Sequence, residues 1–127
     1  MKNQDIEIKG KCVIGGRTVR ARADRVWSGG VMDIKTGTVP TKSQLMSGNM
    51  PQLPLEAYML ENGGFNIPDV VRGDVPKIVF MQLKNFGVKM IWYDETDVAD
   101  MMRAAIDKVT GLVNAYSVGN APYEYRD

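Results

Sequence analysis

Apolar residues follow two different patterns between positions 77 and 111, and these patterns predict two strands followed by a helix. Residues 77–84 (KIVFMQLK) form a nearly continuous apolar run, which is typical of a strand covered on both faces. Turn-type residues at 85–87 separate this run from residues 88–93 (VKMIWY), whose alternation predicts the partner strand of a hairpin.

A helix is predicted to follow at residues 95–110. Its apolar residues recur at spacings of three and four and define one stripe: Val98, Met101, Met102, Ala105, Ile106 and Val109. Asp94 is placed to cap the first turn, and Gly111 suits the position just beyond the C-terminus. Residues 112–118 fit either a strand or a continuation of the helical stripe. We favour the strand, because glycine inside a helix costs about 1 kcal/mol relative to alanine.

A second hairpin is predicted near the start of the chain, where Gly15-Gly16 joins residues 6–14 to residues 17–27. Alternation along the second strand places three charged side chains on one face: Arg20, Arg22 and Asp24.

The segment 28–76 contains seven glycines and five prolines, which predicts an irregular, loop-rich arm. We expect one short helix at 55–62, with Pro54 in its first position and Gly63 at its end, and a helical turn at 41–46. The arm is nonetheless apolar, so it either packs on its own domain or becomes ordered against a neighbouring subunit. The candidate subunit-contact residues are Met32, Leu45, Met46, Met50, Leu53, Tyr58 and Met59.

These elements together predict a single α+β domain spanning residues 1–127, with a mixed or antiparallel sheet, one packed helix and a long central arm. The net charge of +1 gives no global attraction to nucleic acid or to a membrane. The N-terminal residues are charged, and no apolar run approaches the ~20 residues of a membrane span. We therefore expect a cytoplasmic location and no membrane partner.

The chain has one cysteine, Cys12, and no histidine, which excludes histidine-dependent zinc sites and catalytic triads within one chain. Cys12 lies in a predicted strand and is interpreted as a small core residue. Four carboxylates cluster where the helix begins: Asp94, Glu95, Asp97 and Asp100. They could bind a divalent cation, but helix capping explains them without a metal. We expect no cofactor, no metal and no enzymatic activity.

Four arginines within nine residues suggest a second function: Arg17, Arg20, Arg22 and Arg25. Guanidinium groups bind phosphate in a forked geometry, so this strand could serve a small nucleic-acid-binding module. A solvated or partner-paired strand face explains the same residues and is favoured, because the chain as a whole is not basic.

Residues 11–27, KCVIGGRTVRARADRVW, resemble the opening strand–turn–strand of phage tail tube proteins. The resemblance implies a β-rich subunit with one helix and long inter-subunit loops, which stacks as rings into a tube. We therefore expect a structural, self-assembling homo-oligomer, with a phage tail or other virion component as one possibility, that uses segment 28–76 for subunit contacts. The alternatives are the nucleic-acid-binding module and an accessory subunit of an enzyme complex.

Overall fold

The computed structural model describes residues 8–115 and the backbone of residues 123–124, and it shows the predicted α+β fold. The described strands are β1 (Ile8–Ile14), β2 (Arg17–Ala23), β3 (Arg25–Trp27), β4 (Gly30–Lys35), β5 (Lys77–Lys84), β6 (Gly87–Trp92) and β7 (Tyr123–Glu124). The described helices are α1 (Lys42–Ser47), α2 (Gln52–Glu61) and α3 (Glu95–Ala115).

The strands form two sheets. In the first, β1 and β2 are antiparallel, and β7 lies parallel to β2 on its other side. The second has the order β3-β4-β5-β6, in which β4 and β5 are parallel and the outer pairs are antiparallel. Because parallel neighbours need a long crossover, the chain between β4 and β5 has room for α1 and α2.

The N-terminal hairpin is confirmed, but its second strand is shorter than predicted. Gly15 and Gly16 have φ values of +58° and +78°, which a tight two-residue turn requires and which glycine adopts without strain. The strand predicted at 17–27 is broken at Asp24: β2 ends before it, and β3 begins after it in the other sheet. Asp24 therefore stands where the chain crosses between the sheets.

The segment 28–76 is more regular than its glycine and proline content predicts. It contributes β4, an internal strand of the second sheet, and both short helices. The helical turn at 41–46 is confirmed as α1: Thr41 caps it by accepting a hydrogen bond from the Gln44 backbone N–H at 3.1 Å, and the Gln44 side chain accepts one from the Thr41 N–H at 2.9 Å.

Helix α2 begins three residues before its predicted start, and Pro54 occupies its third position rather than its first. Proline is tolerated there because the N–H groups of a helix's first turn have no partner within the helix. The predicted end is confirmed, since Gly63 has a φ of +75° just beyond the helix. Strands of both sheets and α3 all pack against α2, so most of its residues are buried.

Helix α3 carries the predicted apolar stripe but continues past Gly111 to Ala115, so the strand predicted at 112–118 is wrong for residues 112–115. Residues 116–118 lie outside the described residues. The reason for the extension is Val113, which is only 2% exposed and continues the stripe from Val109. Burial of a valine side chain contributes about 1.5 kcal/mol or more, which exceeds the glycine penalty of about 1 kcal/mol.

The hairpin of β5 and β6 is confirmed, but only the first half of β5 is covered on both faces. Ile78, Val79 and Phe80 are buried, and the Phe80 ring meets Tyr93 edge to face at a centroid distance of 6.5 Å. Beyond them the hairpin projects from the core. Its large exposed apolar side chains, here called the hairpin face, are Leu83, Phe86, Val88, Met90 and Trp92.

The cap at the start of α3 provides a test of this architecture. The Asp94 carboxylate accepts a hydrogen bond from the Asp97 backbone N–H at 2.8 Å. We expect Asp94→Ala to lower the free energy of unfolding by about 1 kcal/mol, because the N–H loses its partner and the dipole loses a nearby negative charge. Urea denaturation would measure the change. The matched control is Asp107→Ala on the exposed face of the same helix; an equal loss in both variants would contradict the capping role.

Candidate functional site

The acidic cluster predicted at the start of α3 is used in local contacts. Besides the Asp94 cap, Asp97 pairs with Lys42 of α1 at 2.7 Å, and Asp100 pairs with Arg103 one turn on at 3.0 Å. Among the described residues, no three His, Cys, Asp or Glu side chains are grouped closely enough to hold a metal by themselves. These contacts favour the capping interpretation of the cluster over the metal site.

Six of the seven residues predicted to form subunit contacts are buried or half-buried. Leu45, Leu53 and Met59 belong to the hydrophobic core. Met32, Met46 and Tyr58 are half-buried, and Met50 is exposed. Their part in subunit contacts stays a prediction, and the buried members contact this chain's own core.

The four predicted arginines do not form one surface. Arg17 is half-buried opposite Ile14 beside the turn. Arg25 lies on β3 and donates a hydrogen bond to the Asp24 backbone carbonyl at 2.7 Å. Arg20 and Arg22 do project together, and they line a groove of about 380 Å³ with residues of β1 and of the loop after α2.

The groove also contains two lysines, Lys9 and Lys11, which the sequence analysis did not single out. The antiparallel register places Lys11 opposite Arg20 and Lys9 opposite Arg22. A two-residue turn at Gly15-Gly16 fixes that register, so the pairing could have been read from the sequence by counting outward from the turn.

A second set of candidate residues, centred on Asp24 and Asp33, was not recognised as a group from the sequence. Asp24 follows Arg22 by two residues at the point where the chain leaves the first sheet. The pairing of Arg25 with Met32, extended by one residue, places Asp24 opposite Asp33 of β4. Lys35, two residues beyond Asp33 and on the same face of β4, contacts the Asp33 carboxylate through its Nζ at 3.1 Å.

Backbone and side-chain contacts hold these groups in place. The Ile34 backbone N–H donates a hydrogen bond to Asp24 Oδ2 at 2.9 Å. The Asp33 side chain is 14% exposed, while that of Lys35 is 26% exposed. The set therefore combines two neighbouring carboxyl groups and one ammonium group at a partly covered position; we call it the carboxylate–lysine site.

Asp33 has a perturbed ionisation. Burial, followed by the hydrogen bond with the Asp24 side chain, raises the pKa of Asp33 to about 6, and the nearby Lys35 lowers it only in part. Perturbed carboxyl pKa values occur at functional sites and also in structural networks of charged groups, so the geometry of the site carries the functional interpretation.

Helix α2 brings two more polar residues into the interior beside the sheets. Glu56 is only 1% exposed, and its Oε2 accepts a hydrogen bond from Gln52 Nε2 at 3.0 Å. Gln52 Oε1 is buried and has no hydrogen-bond partner among the described residues. Helix α2 packs against β4, the strand that carries Asp33 and Lys35.

Cys12 lies half-buried on β1 and packs against the hydrophobic core, as the sequence predicts. Burial raises the pKa of its thiol to about 11, so the thiolate is scarce near neutral pH. This supports a packing role for Cys12 rather than a nucleophilic one.

Comparison with known proteins finds short matches to much longer chains. The chain is 41% identical over 64 residues, half of its length, to an uncharacterised protein of Rickettsia felis, of which the match covers 7%. Over 37 residues, 29% of its length, it is 51% and 49% identical to uncharacterised proteins of Rickettsia typhi and Rickettsia bellii, of which each match covers 4%. The matches thus cover less than a tenth of these curated relatives. No family model and no solved structure matches.

One further structural finding concerns membranes. Within residues 8–115 and 123–124, every helix is too short or too polar to cross a bilayer.

The raised pKa of Asp33 leads to a stability prediction. Between pH 3.8 and about pH 6 the folded protein binds this proton and the unfolded chain does not, so this group's contribution to stability falls as the pH rises through that window. We expect Asp33→Asn to raise the free energy of unfolding by about 1 kcal/mol at neutral pH, after allowance for solvent screening, because the amide needs no ionisation.

Chemical denaturation at about pH 4 and about pH 7.5 would measure this effect. The increase in the free energy of unfolding caused by Asp33→Asn should be larger at the higher pH. The control Asp107→Asn on α3 should change the free energy of unfolding by the same small amount at both pH values. An advantage that did not grow with pH would contradict the pKa assignment.

Proposed function

We propose that the carboxylate–lysine site hydrolyses phosphodiester bonds with the help of a divalent cation, and that the substrate is nucleic acid. The observation that carries the proposal is the juxtaposition of Asp24 and Asp33 with the Lys35 ammonium, which contacts Asp33 at 3.1 Å. The proposal gives one function to two neighbouring carboxyl groups, of which Asp33 has a raised pKa, and to the Lys35 ammonium beside them.

A divalent cation would resolve the unfavourable pairing of the two carboxyl groups. Mg²⁺ binds through one or two carboxylates and takes its remaining oxygen ligands from water and substrate phosphate. Two protein ligands from Asp24 and Asp33 therefore suffice, and a group of three or more acidic side chains is not required. Binding would also release the proton that Asp33 holds below about pH 6.

The chemistry needs no histidine. A divalent cation held by Asp24 and Asp33 would make a bound water lose a proton more readily and so supply a nucleophile for phosphorus. A new P–O bond would form as the bond to one ester oxygen breaks, and that oxygen would take up a proton from solvent. Lys35 supplies positive charge at the reacting phosphate, where negative charge accumulates in the transition state. The sequence predicted a protein without enzymatic activity because it has no histidine and no known catalytic motif. The mechanism proposed here requires neither.

The surroundings favour a polyanionic substrate. Arg22, which lines the groove with Arg20, is two residues before Asp24 in the sequence. Positive side chains attract and position phosphate groups but give no sequence information by themselves. We therefore propose hydrolysis of nucleic-acid backbones without specifying a base sequence.

Cleavage of a labelled oligonucleotide would test this function. We expect Mg²⁺-dependent hydrolysis that EDTA abolishes, and a loss of about 100-fold or more in Asp33→Asn and in Lys35→Ala, since each removes a group at the reacting phosphate. The rate should increase as the pH rises through about 6, because Asp33 must lose its proton before it can bind the cation.

The matched control is again Asp107→Asn, which should cleave like the unmodified protein. The melting temperature with and without Mg²⁺ provides a readout that is independent of turnover: the cation should stabilise the unmodified protein and not Asp33→Asn. Absence of both cleavage and Mg²⁺-dependent stabilisation would overturn the proposal.

A second candidate function is self-association, and the hairpin face favours it. Strand β6 is an edge of the second sheet within the described residues, and one side of the hairpin carries Leu83, Val88 and Trp92 exposed to solvent. Phe86 at the turn is fully exposed. An open strand edge next to exposed apolar side chains suits pairing with the same strand of a second copy.

This candidate moves the predicted contact surface from segment 28–76 to the hairpin. We expect light scattering to show a mass above the 14.1 kDa of one chain, and Phe86→Ser with Val88→Thr to restore that value, because the changes remove contact area without touching the core. The control is Val71→Thr, an equally exposed position outside the hairpin. A monomer at every concentration tested would contradict self-association.

A further inference from the structure

Alternate residues of the second sheet project to opposite sides, and the register shows which side meets the core. Residues paired across neighbouring strands project to the same side, so Val26, Val31 and Ile78 share one side. Phe80, two residues after Ile78, shares it as well. Val31, Ile78 and Phe80 belong to the hydrophobic core, and Val26 packs against it. The core therefore covers this inner side of the sheet.

The other side of the same sheet is also apolar, and we call it the outer face. Its residues, besides the hairpin-face residues of β5 and β6, are Trp27, Met32, Ile34, Val79 and Met81. None of these described residues belongs to the core cluster or packs against it. Within the four strands, Arg25 and Lys77 are the charged residues on this side, and no carboxylate lies among them.

Val79 lies near the middle of the outer face. The register places Met32 on one side of it and Trp92 on the other. Val79 is completely buried, yet it lies outside the core cluster. Trp92, in contrast, is 56% exposed. The outer face thus combines a covered centre with large apolar side chains that are open to solvent.

The dimensions of the outer face are those of a small protein interface. Its four strands, about 4.8 Å apart, and a strand length of six residues, each rising about 3.3 Å, give about 400 Å² in projection. Two such faces cover about 800 Å², and the relief of the side chains increases the accessible area that contact removes. Specific association needs about 1,000 Å² in total, whereas obligate dimers bury about 2,000 Å² or more. These dimensions suit a reversible dimer.

A second copy of the chain is the partner that fits the outer face. It presents the same apolar residues on an equally broad sheet, so the two faces are complementary without any charged group. Apolar sheet faces pack about 10 Å apart with their strands nearly aligned. Pairing of the β6 edges, by comparison, would leave Trp27, Met32 and Ile34 uncovered, because these residues lie on β3 and β4.

We propose that two copies of this protein associate sheet on sheet through their outer faces. The inference rests on the self-association candidate and specifies its contact surface, which returns Met32 to the set of subunit-contact residues. It is independent of the hydrolytic function, because Asp33 pairs with Phe80 and projects from the inner side. Stacking also covers the outer side of the second half of β5, in agreement with its continuous apolar run.

The two tryptophans of the chain both lie on the outer face and provide the first test. Trp27 is 36% exposed and lies on β3, at the opposite edge of the sheet from β6. Trp92→Phe retains an aromatic side chain and leaves Trp27 as the only tryptophan, so acrylamide quenching of fluorescence then reports the exposure of Trp27. We expect the quenching constant to fall by about twofold or more between dilute and concentrated protein, since the centre of an interface excludes water.

Light scattering on Met32→Thr with Ile34→Thr provides the second test. Threonine favours strands, while the change removes apolar area from the outer face. We expect the dissociation constant of a dimer of two 14.1 kDa chains to rise by about tenfold or more. The matched control is Val13→Thr with Val71→Thr, at two exposed positions outside the second sheet, which should dimerise like the unmodified protein.

The outcomes separate this inference from self-association itself. If a dimer formed while Trp27 was quenched equally at all concentrations, or if the Met32 and Ile34 changes left the dimer intact, self-association would stand and the outer-face contact would fall. A monomer at every concentration would overturn both. The Trp27 measurement does not depend on the threonine variant, so it decides the question by itself if that variant does not fold.

Discussion

The hydrogen bond from the Ile34 backbone N–H to the Asp24 carboxylate, at 2.9 Å, is the contact on which the site depends. Asp24 stands outside both sheets' regular ladders, between β2 and β3, where the chain could bend in several ways. A carboxylate that accepts a backbone N–H fixes both the bend and its own orientation. Because the donor lies between Asp33 and Lys35 in β4, the same bond fixes Asp24 beside these two residues.

The carboxylate–lysine site costs stability, and the rest of the fold offsets that cost. Asp33 would be more easily accommodated as a neutral group, as its raised pKa shows. Helix α2 is buried between strands of both sheets and α3. Its apolar contacts hold β4 in place despite the unfavourable burial of Asp33. Functional sites commonly retain such unfavourable groups because the chemistry requires them, and removing them stabilises the protein at the expense of activity.

The elements with strong periodicity could be predicted from the sequence, and the site could not. The stripe of α3, the Gly15-Gly16 turn and the capped turn at Thr41 depend on local patterns and are present in the structure. The end of α3 was missed because the burial of Val113 is a tertiary effect that outweighs the local cost of Gly111. The carboxylate–lysine site was missed because β4 lies in a segment whose glycines and prolines predicted a loop. Asp33 and Lys35, alternating on one face of a short apolar run, were the available signal.

Net charge conceals how the charges of this protein are arranged. The total of +1 argues against an attraction to nucleic acid, yet four of the cations lie on one hairpin face, and several carboxylates are occupied at the start of α3, away from the groove. Electrostatic attraction acts over about 8–10 Å at physiological salt, so a local face matters more than the sum. The register of the hairpin places Lys9 and Lys11 beside the arginines, and the Gly15-Gly16 turn determines that register. A two-residue turn thus brings basic residues that are separated in the sequence, at positions 9 to 22, onto one face of the hairpin.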